Sequence, residues 1–303
     1  MSTAADNIAA DRPATIAESL RSAVRVLHAC SDSPRLDAEI LLGKVLGTTR
    51  AALVRRGEEA LPADAGRAYR EFIARRAKGM PVAYLTGIRE FWSLPFKVTP
   101  AVLVPRPESE LLVERALELL PVDGAPAVLD LGTGSGALAL ALAFERRRAR
   151  IVGVDISEAA ARVARDNAAA LGLTQVEWRI GSWFAPVRDR RFDLILSNPP
   201  YIAAGDPALE QLRAEPAQAL VGGPTGLEQL ACIIAAAPSH LVPGGWLLVE
   251  HGADQAREAA ALFERHHFED VHSHRDYSGR PRVTRGRHRG SPRGPLPLNQ
   301  EPP

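Results

Sequence analysis

Val128-Leu129-Asp130-Leu131-Gly132-Thr133-Gly134-Ser135-Gly136 reads as a buried strand that turns through glycines into a helix starting at Ala137. Glycine lets the backbone turn sharply and approach a ligand closely at a helix N-terminus. Asp155 closes the next strand, Ile151 to Val154, at the distance where a carboxylate accepts hydrogen bonds from ribose hydroxyls. Outward from this unit the alternation continues. Helices are expected over Ala137 to Arg147, Glu158 to Leu171, Leu227 to Leu241 and Ala253 to His266. Strands are expected over Val176 to Ile180, Phe192 to Ser197 and Trp246 to Glu250. Such alternation predicts an α/β domain with a mostly parallel sheet covered by helices on both faces.

The loop and its acid point to an adenosine-containing ligand. Gly132, Gly134 and Ala137 can be matched to the dinucleotide pattern G-x-G-x-x-A, but Gly136 falls one position early for its third glycine. Asp130 just before the loop would repel a pyrophosphate and suit an ammonium, which S-adenosylmethionine carries.

A second stretch carries the chemistry. Asn198-Pro199-Pro200-Tyr201 follows the apolar strand Phe192 to Ser197. Proline has no N–H and a fixed φ, so the sheet cannot continue and the carbonyls there are held rigid. A rigid backbone carbonyl beside the Asn198 side-chain carbonyl gives two fixed acceptors, which match the two donors of a planar NH₂ group.

Composition bounds the rest. The chain has 303 residues with 46% hydrophobic and a net charge of +1, from 37 basic and 36 acidic side chains. That balance argues against general binding to a phosphate backbone. Cys30 and Cys232 are far apart in sequence, which favours idle thiols in a reducing compartment over a disulfide or a metal site. The N-terminus has no basic n-region or apolar h-region. The longest apolar stretch, Ala137 to Phe144, is short of the ~20 residues a membrane span needs. A cytoplasmic monomer without a membrane or stable nucleic-acid partner is expected.

Residues 1–79 are expected to form a helical domain. Thr15-Ile16-Ala17-Glu18 has the form of a capping box, Gly47 should stop a second helix, and Pro62 should open another that ends at Gly79. Residues 80–107 read as a linker with a hairpin around Phe91 to Val98, 108–288 as the α/β domain, and 289–303 as a disordered Gly/Pro/Arg-rich tail.

With loop and tetrapeptide together, the chain resembles the class I S-adenosylmethionine-dependent methyltransferases with their Rossmann-like fold. Asn-Pro-Pro-Tyr is similar to the motif of enzymes that methylate adenine or glutamine nitrogen. Pro81 to Gly87, Arg89 to Trp92, Val104 to Glu110, Asp276-Tyr277 and Arg282-Val283 resemble the peptide chain release factor glutamine N5-methyltransferases, over roughly residues 15 to 288. The segment Leu209 to Pro216 looks shortened against that family.

The resemblance implies methyl transfer from S-adenosyl-L-methionine to a glutamine amide of a release factor, leaving S-adenosyl-L-homocysteine. It implies that Asp130, Gly132, Thr133, Gly134, Ser135 and Gly136 surround the methionine part. Asp155 would bind the ribose, Trp183 would flank the adenine, and Asn198, Pro199, Pro200 and Tyr201 would hold the glutamine. Glu108 either lines the site or starts a helix. The helical domain would dock the protein substrate. The rival activity is adenine-N6 methylation of DNA or RNA, which shares the tetrapeptide and the cofactor.

Overall fold

The structure, a computed structural model, describes residues 14–290. They divide into two compact units, 14–88 with 210–214, and 89–209 with 215–290. In chain order the elements are α1 (Ile16–Leu27), α2 (Pro34–Leu46), α3 (Arg50–Arg55), α4 (Ala63–Ala77), α5 (Val82–Thr86), β1 (Ile88–Phe91), β2 (Leu94–Lys97), α6 (Glu110–Leu119), β3 (Ala127–Leu131), α7 (Ala137–Glu145), β4 (Arg150–Asp155), α8 (Glu158–Ala170), β5 (Glu177–Ile180), β6 (Phe192–Ser197), β7 (Ile202–Ala203), α9 (Ala208–Gln211), β8 (Val221–Gly223), α10 (Glu228–Ala236), β9 (Leu241–Glu250), α11 (Ala256–Arg265), β10 (Phe268–Arg275) and β11 (Pro281–His288).

The first unit is helical. Thr15 Oγ1 accepts from the Glu18 amide at 3.2 Å, while the Glu18 carboxylate accepts from the Thr15 amide at 2.8 Å. This is the capping box read from the sequence. Gly47 ends α2 in the left-handed region at φ 60°. Pro62 is the residue before α4, which stops at Ala77, two residues short of Gly79. The apolar faces meet in a core of Ile16, Leu27, Leu41, Leu42 and Leu53. Two buried carboxylates there are paired: Asp37 with Arg76 at 2.8 Å, and Glu39 with Arg35 and Arg50, each at 2.8 Å. Paired burial avoids the large cost of an isolated charge in a low-dielectric core.

In the second unit seven strands form one sheet in the order β10-β11-β9-β6-β3-β4-β5. Neighbours are parallel except β11, which is antiparallel to both β9 and β10. The continuous apolar run of β6 follows from burial on both faces, with Leu194, Ile195 and Leu196 fully buried. Helix α7 is buried from Ala137 to Ala143. The strand order reverses at β3/β6, so the carboxyl ends of these strands open the crevice in which ligands of doubly wound sheets bind.

The hairpin β1–β2 turns through Trp92 and Ser93, both at positive φ, 52° and 56°. That left-handed pair matches the twist of a two-residue hairpin turn. Phe91, Leu94 and Phe96 are buried in the second unit's core with Leu112 and Leu140. Asn167 on α8 clamps the hairpin: its Oδ1 accepts from the Lys97 amide at 2.7 Å, and its Nδ2 donates to the Lys97 and Ser135 carbonyls at 3.0 and 2.9 Å. Hairpin and glycine loop are therefore held by one side chain.

The sequence reading did not anticipate α6 or the strands β10 and β11. Of the expected tail, residues 291–303 lie outside the described residues, and Arg289 pairs with Glu269 at 2.9 Å. No helix among the described residues is long and apolar enough to cross a membrane.

Candidate active site

The carboxyl ends of β3, β4 and β6 surround a cavity of about 340 Å³, lined by Gly132, Gly134, Val154, Asp155, Ile156, Ala160, Gly181, Ser182, Trp183, Asn198 and Pro200, and by Ala101, Val102, Leu103, Pro216, Gln218, Ala219, Val221 and Gln229. Asp155 is the one ionisable side chain in this lining among the described residues. The wall holds no Lys, Arg or His to balance a phosphate.

The loop is shaped by backbone geometry. Gly132, Gly134 and Gly136 have φ of 73°, 55° and 82°, a region that side chains disfavour. The Gly132 and Thr133 amides both donate to the Val154 carbonyl, at 2.9 and 3.0 Å. The Gly134 amide donates to Asp155 Oδ2 at 2.9 Å, and the Ser157 amide to Oδ1 at 2.8 Å. These N–H groups are engaged within the protein, so they are not turned toward an anion. Burial raises the Asp155 carboxyl above its ordinary range, while the Ser157, Gly134 and Ile156 amides oppose that rise.

Asp130 lies fully buried beneath the loop. Thr133 Oγ1 donates to its Oδ2 at 2.6 Å, and its Oδ1 has no partner among the described residues. Burial pushes its carboxyl up to about 7 against the lowering from Thr133 and from the nearby Ala139 amide. Asp130, Thr133, Ser135 and Gly136 form an under-layer and do not line the cavity. Trp183 does line it, at φ 44°, with its Nε1 donating to Gln229 Oε1 at 3.1 Å. A Cβ on Gly132 would stand 3.5 Å from the Trp183 ring. The exposed Ile156 faces the same cavity.

Ser197 Oγ donates to the Leu131 carbonyl at 2.7 Å, locking the end of β6 to β3 just before Asn198. Asn198 Nδ2 donates to Ser109 Oγ at 2.9 Å. Neither Asn198 Oδ1 nor the Pro199 carbonyl accepts a hydrogen bond among the described residues. The carbonyls that follow are engaged or covered. Tyr201 O accepts from Gln255 Nε2 at 3.0 Å, and a Cβ at Gly222 would approach Pro200 O to 2.5 Å. Pro199 and Tyr201 themselves do not line the cavity, and the Tyr201 hydroxyl is turned to Glu250 Oε1 at 3.2 Å. Glu108 is exposed in the turn before α6 and lies outside the lining.

Sequence reasoning missed Ser109, Glu215, Gln229 and Glu250. Glu215 Oε2 accepts from the Val104 amide at 3.0 Å and its other oxygen pairs with Arg106, fixing the segment that carries Leu103. Glu250 had one available signal: an acid at the carboxyl end of a central strand. His251 is buried and bonded to Thr284 at 2.8 Å, and His240 stacks on Phe184. No group of three or more His, Cys, Asp or Glu among the described residues could hold a metal ion.

A PrmC N-terminal domain model matches residues 18–87, and a methyltransferase domain model matches 123–277. A release factor glutamine methyltransferase of Yersinia pestis is 47% identical over 88% of this chain and 95% of its own length. One of Salmonella typhimurium is 47% identical over 85% of this chain and 93% of its own. Among solved structures, a Thermus thermophilus 16S rRNA N2 G1207 methyltransferase with AdoMet and guanosine shares the fold at TM-score 0.52, with 24% identity over 67% of this chain and 50% of that one. Because 47% of residues are shared over 88% of this chain and 95% of the Yersinia pestis relative's own length, this chain belongs to the release factor glutamine methyltransferase family.

Proposed function

We propose that the protein transfers a methyl group from S-adenosyl-L-methionine to the side-chain N5 of a glutamine in peptide chain release factors, leaving S-adenosyl-L-homocysteine. One observation carries this reading. Asn198 Oδ1 and the Pro199 carbonyl are two acceptors without partners among the described residues, at the carboxyl end of β6. A primary amide has two N–H donors to match them. The names of the relatives supply the substrate class.

The residues present fit the cofactor. The cavity wall carries a carboxylate and no cation, which suits a sulfonium and an ammonium better than a pyrophosphate. Asp155 would hold the ribose hydroxyls. Trp183 and Ile156 would cover the adenine. Gly132 and Gly134 leave room for the methionine part. Asp130 and Thr133 would act from beneath, bracing the loop and adding negative potential.

When bound, S-adenosylmethionine supplies an electrophilic methyl whose sulfur leaves without acid assistance. The chain's task is the amide nitrogen, whose lone pair is delocalised into its carbonyl. Asn198 Oδ1 and Pro199 O accept its two N–H groups and favour nitrogen as it becomes positive, which is electrostatic preorganisation; as the N–CH₃ bond replaces the S–CH₃ bond, one of these N–H protons is lost to water and the neutral N-methyl amide remains. The same two bonds aim the nitrogen, which adds proximity. Pro200 walls the cavity, and Tyr201 supports the motif through Glu250. The helical first unit would dock the release factor. We expect a cytoplasmic monomer that holds no nucleic acid stably.

The test is incubation of the protein with S-adenosylmethionine and a purified bacterial release factor, followed by peptide mass spectrometry. One added methyl on a glutamine is expected. An unmodified release factor, beside methylated adenine in a parallel nucleic-acid reaction, would overturn the reading.

A further inference from the structure

Glu250 ends β9 fully buried, between two groups that touch the Asn-Pro-Pro-Tyr segment. Its Oε2 lies 2.6 Å from Ser109 Oγ and its Oε1 lies 3.2 Å from the Tyr201 hydroxyl. Ser109 Oγ is also 2.9 Å from Asn198 Nδ2. A carboxylate can only accept, so an ionised Glu250 draws the Ser109 proton to itself. The Ser109 oxygen then offers Asn198 lone pairs alone, and the Asn198 amide must turn its NH₂ toward Ser109. Its Oδ1 is left facing the other way, with no partner among the described residues, on a residue that lines the cavity.

We propose that Ser109 and Glu250 are positioning residues for methyl transfer: they set the Asn198 amide so that an acceptor, not a donor, meets the substrate nitrogen. This rests on the role given to Asn198 above. The chain is Glu250 to Ser109 to Asn198, and each link has a donor and an acceptor assigned by the one before it.

Protonation of Glu250 reverses the first link. Its O–H donates to Ser109 Oγ, the Ser109 proton is released toward Asn198, and the flipped amide becomes available. That flipped form sets NH₂ against NH₂. The groups that face Glu250 are Arg282 from β11, which favours the ionised form, Glu108 before α6, which opposes it, and the Tyr201 hydroxyl. Arg106 acts on Tyr201, and burial lowers the imidazole of His251, the next residue in the chain. Burial outweighs the pull of Ser109, Tyr201 and Arg282 and pushes the Glu250 carboxyl up to about 7. The switch therefore sits in the working pH range.

The experiment compares wild type, Ser109→Ala, Ser109→Thr and Glu250→Gln with S-adenosylmethionine and a bacterial release factor, measuring kcat, KM and cofactor affinity from about pH 6 to 9. Ser109→Ala should lower kcat about 10- to 100-fold with cofactor affinity unchanged, and Ser109→Thr should restore most of it. Wild-type kcat should fall on the acid side of neutrality. Asp130 titrates in the same range, so the assignment requires that Glu250→Gln lose this acid limb. Wild-type kcat in Ser109→Ala, equal impairment of the Ala and Thr variants, or joint loss of cofactor binding overturns the inference alone. A wild-type protein that methylates no release factor overturns the function reading and takes the inference with it.

Discussion

Asn198 and Asp155 both stand at strand ends around one cavity, but their contacts predict opposite defects. On the proposed reading Asn198 offers an acceptor to the group being methylated, whereas Asp155 joins the glycine loop to β4 and lines the cavity. Asn198→Ala should reduce kcat by about 10²–10³-fold while calorimetry shows cofactor binding intact. Asp155→Ala should weaken cofactor affinity by about tenfold or more, the worth of a hydrogen bond to a charged group. The reverse pattern would exchange their roles. The placement of both residues at strand ends was legible in the sequence because it is local: the prolines stop β6 just after Asn198, and Asp155 closes an apolar run. Ser109 and Glu250 were not, because their contact joins residues 141 apart and nothing within either segment announces the other.

The strands that position the site were legible where burial on both faces leaves an apolar run, as in Ile151 to Val154 of β4 and Leu194 to Leu196 of β6. The edge strand β10 and its neighbour β11 escaped because they interleave His, Arg, Asp and Glu, and alternate too weakly to separate from loop. The hairpin was legible, but not that its aromatic residues belong to the core of the second unit. The pair β7–β8 is made only by long-range pairing, with the Ile202 amide donating to Leu220 O and the Ala204 amide to Gly223 O. Gly226 sits against this pair at φ 81°, and a Cβ there would come within 2.4 Å of Tyr201 O. Gly226→Ala should therefore lower kcat about tenfold or more with little change in cofactor affinity. Gly172, at φ 66° with nothing within 4 Å of an added Cβ, is the control. Its Ala variant should lose about 1 kcal/mol of stability from backbone strain alone and keep its kcat. Equal kcat values for the two variants would refute the steric argument.

Across the whole molecule, burial pushes two carboxyls, those of Asp130 and Glu250, from the ordinary carboxylate range up to about 7. The folded protein holds these protons more tightly than the unfolded chain. Their contribution to stability is therefore full below about pH 4 and is lost as pH rises through about 7. Asp130→Asn keeps an acceptor for Thr133 and removes the ionisation, so it should raise the melting temperature more at about pH 8 than at about pH 5. An equal gain at both values would remove burial of a charge as the cause. The fold thus keeps two costly acids under its site, where a core built for stability would place amides or apolar groups. A different consequence follows from the small pair β7–β8. Strands of two and three residues open at a lower free energy than β3 or β6, and the Tyr201 end of the acceptor motif leans on them. Amide exchange should begin there while the large sheet stays closed, so warming would silence the enzyme before it melts.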